Sequence, residues 1–386
     1  MKCLSTKATS IKPSGIRKFF DLASTMEGVI SLGVGEPDFA TPWHICENAI
    51  HYMSTGHTHY TANRGLLELR EEICKFHKEH YNQVYDPENE VIVTIGGSEA
   101  IDLCMRALLN PGDEVIVLDP NYVAYAPSVI LSDGVVVPLK LKEENDFKII
   151  PEDLKKVITP KTKAMIINYP SNPTGGVMTK EDYAKIIDII KESGIYVISD
   201  EIYAELSFDQ PFASLAQFDE IKSQIIVVNG FSKAYAMTGW RLGYCMANKE
   251  LSSVMNKIHQ YVIMSAPVMS QYAGIEAIKN GYNDVLMMKE DYLKRRNLLV
   301  NRLNRMGLKT NMPHGTFYVF CNIQSTGLDS ETFCERLLQE QKVACVPGNA
   351  FGNSGEGYVR ISYAYSIDHI KEAVVRLEQF LKDLDN

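Results

Sequence analysis

The stretch "VVNGFSKAYAMTGWRLGY", Val227 to Tyr244, carries a lysine just past a β-branched run that turns at Gly230. Ser232 precedes this Lys233, and Arg241 follows it eight positions later among small residues. A lysine attacks a carbonyl only as the neutral amine, so it needs desolvation or a neighbouring cation to lower its pKa. Arg241 is such a cation. The chemistry open to a lysine in that state is a Schiff base. Taken alone, Lys233 reads as a solvated surface charge, and the reactive reading needs its neighbours.

Other residues narrow the choice. Asp200 ends the apolar run "YVIS", where an unpartnered charge is costly. A carboxylate there could hold the N–H of a protonated heteroaromatic ring and keep that ring able to accept electrons. The alternative is a strand-end Asp that caps the next turn. Tyr203 lies three residues on, with a phenol that could hydrogen-bond a ring oxygen. Asn172, in "NYPSNPTGG", is turn chemistry on one reading and an amide donor for the same oxygen on the other.

"TIGGSEA" reads as a strand, a glycine turn and a helix start. It presents free N–H groups at Gly97, Ser98 and Glu99, an anion site at a helix N-terminus. Neither G-x-G-x-x-G nor G-x-x-x-x-G-K-[ST] is found, so a single phosphate fits better than a dinucleotide. Tyr122, in "DPNYVAY", could stack on a flat ring or simply be half-buried. Arg360 is a cation inside the apolar run "GYVRIS". Its fork suits a carboxylate ligand, and a structural ion pair with an Asp or Glu is the alternative. His77 with His80 and His57 with His59 lack a completing Cys or acidic residue, so no metal site is expected. No G-x-S-x-G motif suggests a serine hydrolase.

The elements that must position these residues alternate. "EVIVTIGG", "DEVIVLD", "KAMIIN", "IYVISDE" and "QIIVVNG" read as strands apolar on both faces. "SEAIDLCMRALL" reads as a helix with Ala100, Leu103, Cys104, Ala107 and Leu108 on one face. "TKEDYAKIIDIIKESG" reads as one helix, capped by Thr179 and ended at Gly194. Such alternation predicts an α/β fold, a mostly parallel sheet covered by helices on both faces, with its chemistry at the carboxyl ends of the strands. From about residue 281 a smaller α/β unit follows: a long polar helix, "GTFYVFCNI", "SETFCERLLQEQ", "GYVRISYAYS" and a closing helix. "GNSGEG" leads into a strand and reads as a plain turn. The expected division is an N-terminal arm 1–45 without a clear sheet pattern, a large domain 46–280 and a small domain 281–386.

The chain has 386 residues, 45% hydrophobic and 23% charged, with a formal net charge of −9. That balance disfavours a nucleic-acid partner. No run approaches the ~18 apolar residues of a membrane span, and the N-terminus lacks a secretory pattern. Eight scattered cysteines without a C-x-x-C pair point to reduced thiols and a cytoplasmic location.

In combination these motifs closely resemble the class I/II aminotransferases, the fold-type I pyridoxal-phosphate enzymes of aspartate and aromatic aminotransferase type. The resemblance spans nearly the whole chain, through "ISLGVGEPDFATP", "HYTANRGLLELREEI", "TIGGSEAI", "NYPSNPTGG", "ISDEIYAEL", "GFSKAYAMTGWRLGY" and "GYVRISYA". It implies that Lys233 carries the cofactor as a Schiff base and moves the substrate proton, and that Asp200 pairs with the ring nitrogen. It implies Asn172 and Tyr203 at the ring oxygen, Tyr122 on the ring face, and Gly97, Ser98, Glu99, Ser232 and Arg241 at the phosphate. Arg360 would grip the substrate carboxylate, with Asn172 and the Gly35 backbone beside it. Tyr60 would reach the phosphate of a neighbouring subunit, which makes the working unit a homodimer with shared sites.

The implied reaction is ping-pong transfer of an amino group from an L-amino acid to a 2-oxo acid such as 2-oxoglutarate. Aromatic, aspartate and broad neutral donors all stay open. Arg17 and Phe19 to Phe20 lie in a region that could cover the site. β-Lyases and related enzymes share the apparatus and differ in which bond is held perpendicular to the ring. A non-catalytic ligand sensor of this fold would carry an added DNA-binding domain, for which this chain has no room.

Overall fold

The computed structural model describes residues 2–11, 13 and 26–384. Arg17 and Phe19 to Phe20 lie outside them. The first strand, β1 (Ile30–Ser31), is two residues long. The next seven form one sheet: β2 (Val91–Thr94), β3 (Glu114–Asp119), β4 (Val135–Lys140), β5 (Thr162–Asn168), β6 (Tyr196–Asp200), β7 (Ile225–Gly230) and β8 (Gly243–Met246). Their order is β2-β8-β7-β6-β5-β3-β4. Neighbours are parallel except at β8, which runs antiparallel to both β2 and β7.

The central strands are buried on both faces because alternate residues feed two cores. Ile116, Met165, Val197 and Val227 enter one. Val117, Ile166, Ile198 and Val228 enter the other, with Cys104 and Leu108 of the helix Gly96–Leu108. Two strands were not legible as strands. β4 is an edge with five of six residues at least partly solvated and a proline at 138, so its pattern is blurred. β8 is four residues after a loop, in a stretch that also carries the Lys233 and Arg241 chemistry.

The single helix expected over "TKEDYAKIIDIIKESG" is instead two short ones, Lys180–Ala184 and Ile187–Ser193. Thr179 caps the first in a full capping box, and Gly194 ends the second at φ 65°. The break falls at Ile186, whose side chain is fully buried, so tertiary packing overrides a continuous helical ladder there.

The C-terminal part builds a second layer. β9 (Tyr318–Asn322), β11 (Val346–Pro347) and β12 (Tyr358–Ser362) form an antiparallel sheet in the order β11-β12-β9. Helices Tyr282–Arg305, Ser330–Gln341 and Ile367–Leu384 pack around it through Leu299, Phe333 and Phe380. β10 (Val343–Ala344) pairs in parallel with β1, so the N-terminal segment does hold a strand, too short to leave a sequence pattern. The Leu32 carbonyl then accepts from Ser362, tying this segment to β12. Tyr203, Leu206 and Phe208, from the loop after β6, belong to the same core as the small sheet. The ground between the two sheets is where the candidate residues gather.

Candidate active site

Asn168 is the last residue of β5, Asp200 the last of β6 and Gly230 the last of β7. A cavity of about 760 Å³ opens above these carboxyl ends. Of the sequence candidates, Asn172, Asp200, Tyr203, Ser232 and Lys233 line it from below. Gly97, Ser98, Tyr122 and Arg241 form one end, and Gly35 and Arg360 the other.

Asp200 is buried, and no ion pair holds it among the described residues. Its Oδ2 accepts the Tyr125 hydroxyl at 2.6 Å and its Oδ1 the Ile202 N–H at 3.2 Å. Burial pushes its pKa up to about 6, although both hydrogen bonds and the Lys233 charge favour the ionised form. Lys233 Nζ donates to the Gly35 carbonyl at 2.5 Å. Loss of water, then the charges of Arg360 and Arg241, pull its pKa down to about 8 against the opposing pull of Glu36 and Asp200. The site therefore holds an acid shifted up and an amine shifted down, both towards neutrality.

Arg360 is buried on β12, and no carboxylate pairs with it among the described residues. Nη1 donates to Asn172 Oδ1 at 2.9 Å and Nη2 to the Gly33 carbonyl at 2.6 Å. Its Nε is buried without a partner, so the structural ion pair considered above is not what holds it. A buried cation with an orphaned donor beside a cavity suits an anionic ligand.

At the other end, the helix Gly96–Leu108 points its N-terminus at the cavity. Gly96 has φ 74°, and a Cβ there would lie 2.9 Å from Arg241 Nη2. Gly243 is tighter still: its Cβ would meet the Gly96 carbonyl carbon at 2.6 Å. These glycines let the turn after β2, the start of β8 and the guanidinium come together.

Two candidates stand apart. The Glu99 carboxylate turns away from the cavity to accept the Ile95 N–H at 2.5 Å and to meet His259 Nδ1 at 2.6 Å. This leaves Glu99 only its backbone at the helix start. Tyr60 is 84% exposed and does not line the cavity of its own chain.

The cavity also includes residues that the sequence did not single out. Tyr125 was visible only as the second tyrosine of "DPNYVAY", three positions after Tyr122. Asn168 anchors the Asn172 loop by accepting the Asn172 N–H at 2.9 Å. Tyr318 sits in an aromatic-rich strand and carries no sequence signal beyond that of a core residue.

With this geometry in view, the comparisons with known proteins agree among themselves. The sequence model of the family described as Aminotransferase class I and II matches residues 27–377. The chain is 51% identical over 378 residues to the putative aminotransferase YugH of Bacillus subtilis, covering 98% of each chain. It is 45% identical over 383 residues to an aspartate aminotransferase of Pyrococcus abyssi, again covering 98% of each. An aromatic aminotransferase structure from Pyrococcus horikoshii matches with a TM-score of 0.91 and 44% identity, over 95% of this chain and 99% of that one. A full-length match to the family, the same fold and a lysine–aspartate–arginine cavity at the strand ends make one conclusion: this chain belongs to the aminotransferase class I and II family and is an amino-group-transferring enzyme.

Proposed function

We propose that the cavity binds pyridoxal 5'-phosphate and, with it, moves the amino group of an L-amino acid to a 2-oxo acid such as 2-oxoglutarate. The observation that carries this reading is the buried, unpaired Asp200 carboxylate facing the same space as Lys233, whose amine is pulled towards neutrality. The residues present fit the cofactor. Asp200 lacks a cation and would take a pyridinium N–H. The helix start at Gly97 and Ser98, with the Glu99 backbone, Ser232 and Arg241, would take the phosphate. Asn172 and Tyr203 would take the ring oxygen, and Tyr122 would cover the ring.

The cofactor supplies an aldehyde that condenses with amines and a ring that draws electrons from the carbon beside the substrate carboxylate. Lys233 would be the amine that holds the cofactor by its aldehyde. Lys233 Nζ, as a free amine, would be the group placed to accept the α proton and return it. Asp200 would set its negative charge against the ring nitrogen. Arg360 fixes the substrate carboxylate, and Asn172 Oδ1 orients Arg360 through its Nη1 contact. The Gly35 carbonyl marks where Lys233 Nζ rests.

Aspartate and aromatic amino acids are the donors favoured here, since relatives bearing those names match along the full chain, and broad neutral donors stay within the proposal. We further propose a homodimer in which Tyr60 reaches the partner's site. Tyr60, Tyr261 and Trp43 are large aromatics at 84%, 87% and 68% exposure, the kind of surface a second copy would cover. The division into an arm 1–45, a large domain 46–280 and a small domain 281–386 is proposed on the separate core of the C-terminal sheet. A cytoplasmic location is proposed on the scattered free thiols. No helix among the described residues is long and apolar enough to cross a membrane.

The test is the near-visible absorbance of the purified protein with pyridoxal phosphate, before and after each L-amino acid is added without an oxo acid. The expected result is a visible band that is lost with particular donors while the amino form of the cofactor accumulates. Release of ammonia and pyruvate in place of that change would replace transamination with a lyase reaction. No band at all would remove the cofactor from the proposal.

A further inference from the structure

Tyr318 lies on β9 at 1% exposure, beside Tyr203, Arg360 and Gly35. Its hydroxyl is 2.9 Å from the Tyr203 hydroxyl. Its ring lies 4.3 Å from the Arg360 Cζ, and Phe351 meets the same guanidinium at 4.8 Å. At Gly35, whose carbonyl receives Lys233, an added Cβ would come within 2.5 Å of the Tyr318 oxygen. One rigid side chain thus touches the neighbours of the ring oxygen, the carboxylate fork and the resting lysine.

Two physical consequences follow. First, the Arg360 side chain has many rotamers, and its two outer nitrogens are each held by one neutral acceptor. Stacking on Tyr318 and Phe351 fixes the plane of the fork as well, at the wall of the cavity that Arg360 lines. Second, a phenol has a single proton to donate. If Tyr203 gives its proton to the ring oxygen, the 2.9 Å contact can be made only with Tyr318 as the donor. The hydroxyls then form a chain in which each bond polarises the next.

We propose that Tyr318 is a positioning residue: its ring sets the plane of Arg360 for the substrate carboxylate, and its hydroxyl donates to Tyr203 so that the Tyr203 proton points to the cofactor oxygen. The proposal rests on the function given above and names a residue that function does not require.

Two variants separate the two halves. Tyr318→Phe keeps the stacked ring and removes the hydroxyl. Amino-acid KM is expected to stay within about twofold of the parent, since the stacked face is kept. The pH titration of the visible band is expected to move upward by a few tenths of a pH unit, because a weaker bond to the anionic ring oxygen favours the protonated form. Tyr318→Leu removes the ring. Amino-acid KM is expected to rise about tenfold with kcat changed far less, as for a lost cation–π contact.

Calorimetry with succinate and 3-phenylpropanoate, carboxylates that cannot react, is expected to show a matching loss of affinity. It is run on the protein with and without added pyridoxal phosphate. An unmoved titration in Tyr318→Phe overturns the hydroxyl relay, and unchanged carboxylate affinity in Tyr318→Leu overturns the positioning of Arg360. A role confined to stability would instead lower the melting temperature and leave both readouts in place. Should Tyr318→Leu fail to fold, Tyr318→Phe decides the hydroxyl relay, and Tyr318→Met, which also removes the ring, takes over the carboxylate titration that judges Arg360. Failure of the cofactor reading itself would be seen separately, as a parent protein without a visible band, and the cofactor-free carboxylate titrations would still judge Arg360.

Discussion

The Tyr125 hydroxyl donates to Asp200 Oδ2 at 2.6 Å, so the charge at the end of β6 is held by the first residue of the helix Tyr125–Leu131 that follows β3. Tyr125 is almost fully buried and meets Tyr122 edge-on at 5.5 Å, which leaves its hydroxyl little freedom to turn elsewhere. A neutral donor cannot cancel the cost of burying a carboxylate, and Asp200 stays pushed up to about 6. A cationic ligand would complete what the protein leaves unfinished.

Replacing Tyr125 by Phe removes that donor and drives the Asp200 pKa further up. Cofactor affinity at neutral pH is expected to fall about tenfold, the size of one hydrogen bond to a charged group. Fluorescence titration of the cofactor-free protein with pyridoxal phosphate measures it. An unchanged dissociation constant would reduce Tyr125 to a core residue.

Asp200→Asn tests the charge itself. With the cofactor present, kcat is expected to fall by about 10²–10³. Without it, the sign reverses for stability. A folded-state pKa of about 6 lies above the ordinary 3.8, so below 3.8 the carboxyl is protonated whether folded or unfolded and costs nothing, and the penalty of burying its charge grows from there and is complete above about 6. The cofactor-free variant should therefore melt higher than the parent above pH 6 and lose that advantage as the pH falls towards 3.8. Thermal melts across that window check the crossing.

Lys233 gives a second pH signature. Its pKa is brought down to about 8, so the reactive neutral amine gains population as the pH rises and is the main form above that value. The rate at which the cofactor-free protein captures pyridoxal phosphate should climb with pH and level off above about 8. Stopped-flow absorbance reads this rate. A rate still climbing at the ordinary lysine pKa would show that burial does not tune this amine, and Lys233→Ala should abolish the signal.

Gly96→Ala probes the phosphate end without replacing any side chain of the site. The new Cβ would lie 2.9 Å from Arg241 Nη2 and sit at φ 74°. The strain costs about 1 kcal/mol, and the guanidinium must move. Cofactor retention on dialysis is expected to drop while amino-acid KM in excess cofactor changes little. Equal losses in both would mean that the damage spreads beyond the phosphate end.

The amino-acid sequence by itself carried the parallel-sheet class, because β3, β5, β6 and β7 are apolar on both faces and only a doubly covered sheet makes such strands. It also marked Asp200 and Arg360, charges in apolar runs that should not need one, while Lys233 and Asn172 stood out only in combination with them. It did not carry β1 or β4, where two residues, or an edge half open to water, leave no clear period. Nor did it distinguish the Glu99 carboxylate, which His259 draws away from the helix start across 160 positions of chain.

What the tertiary structure alone decided is the set of partners. Tyr125 meets Asp200 75 positions away, Lys233 meets Gly35 198 positions away, and Arg360 meets Asn172 188 positions away. Residue type and local spacing declare what a side chain can do. Only the sheet order and the packing of β9 and β12 over the strand ends bring distant side chains within hydrogen-bonding range, and burial at that place shifts the amine down and the acid up.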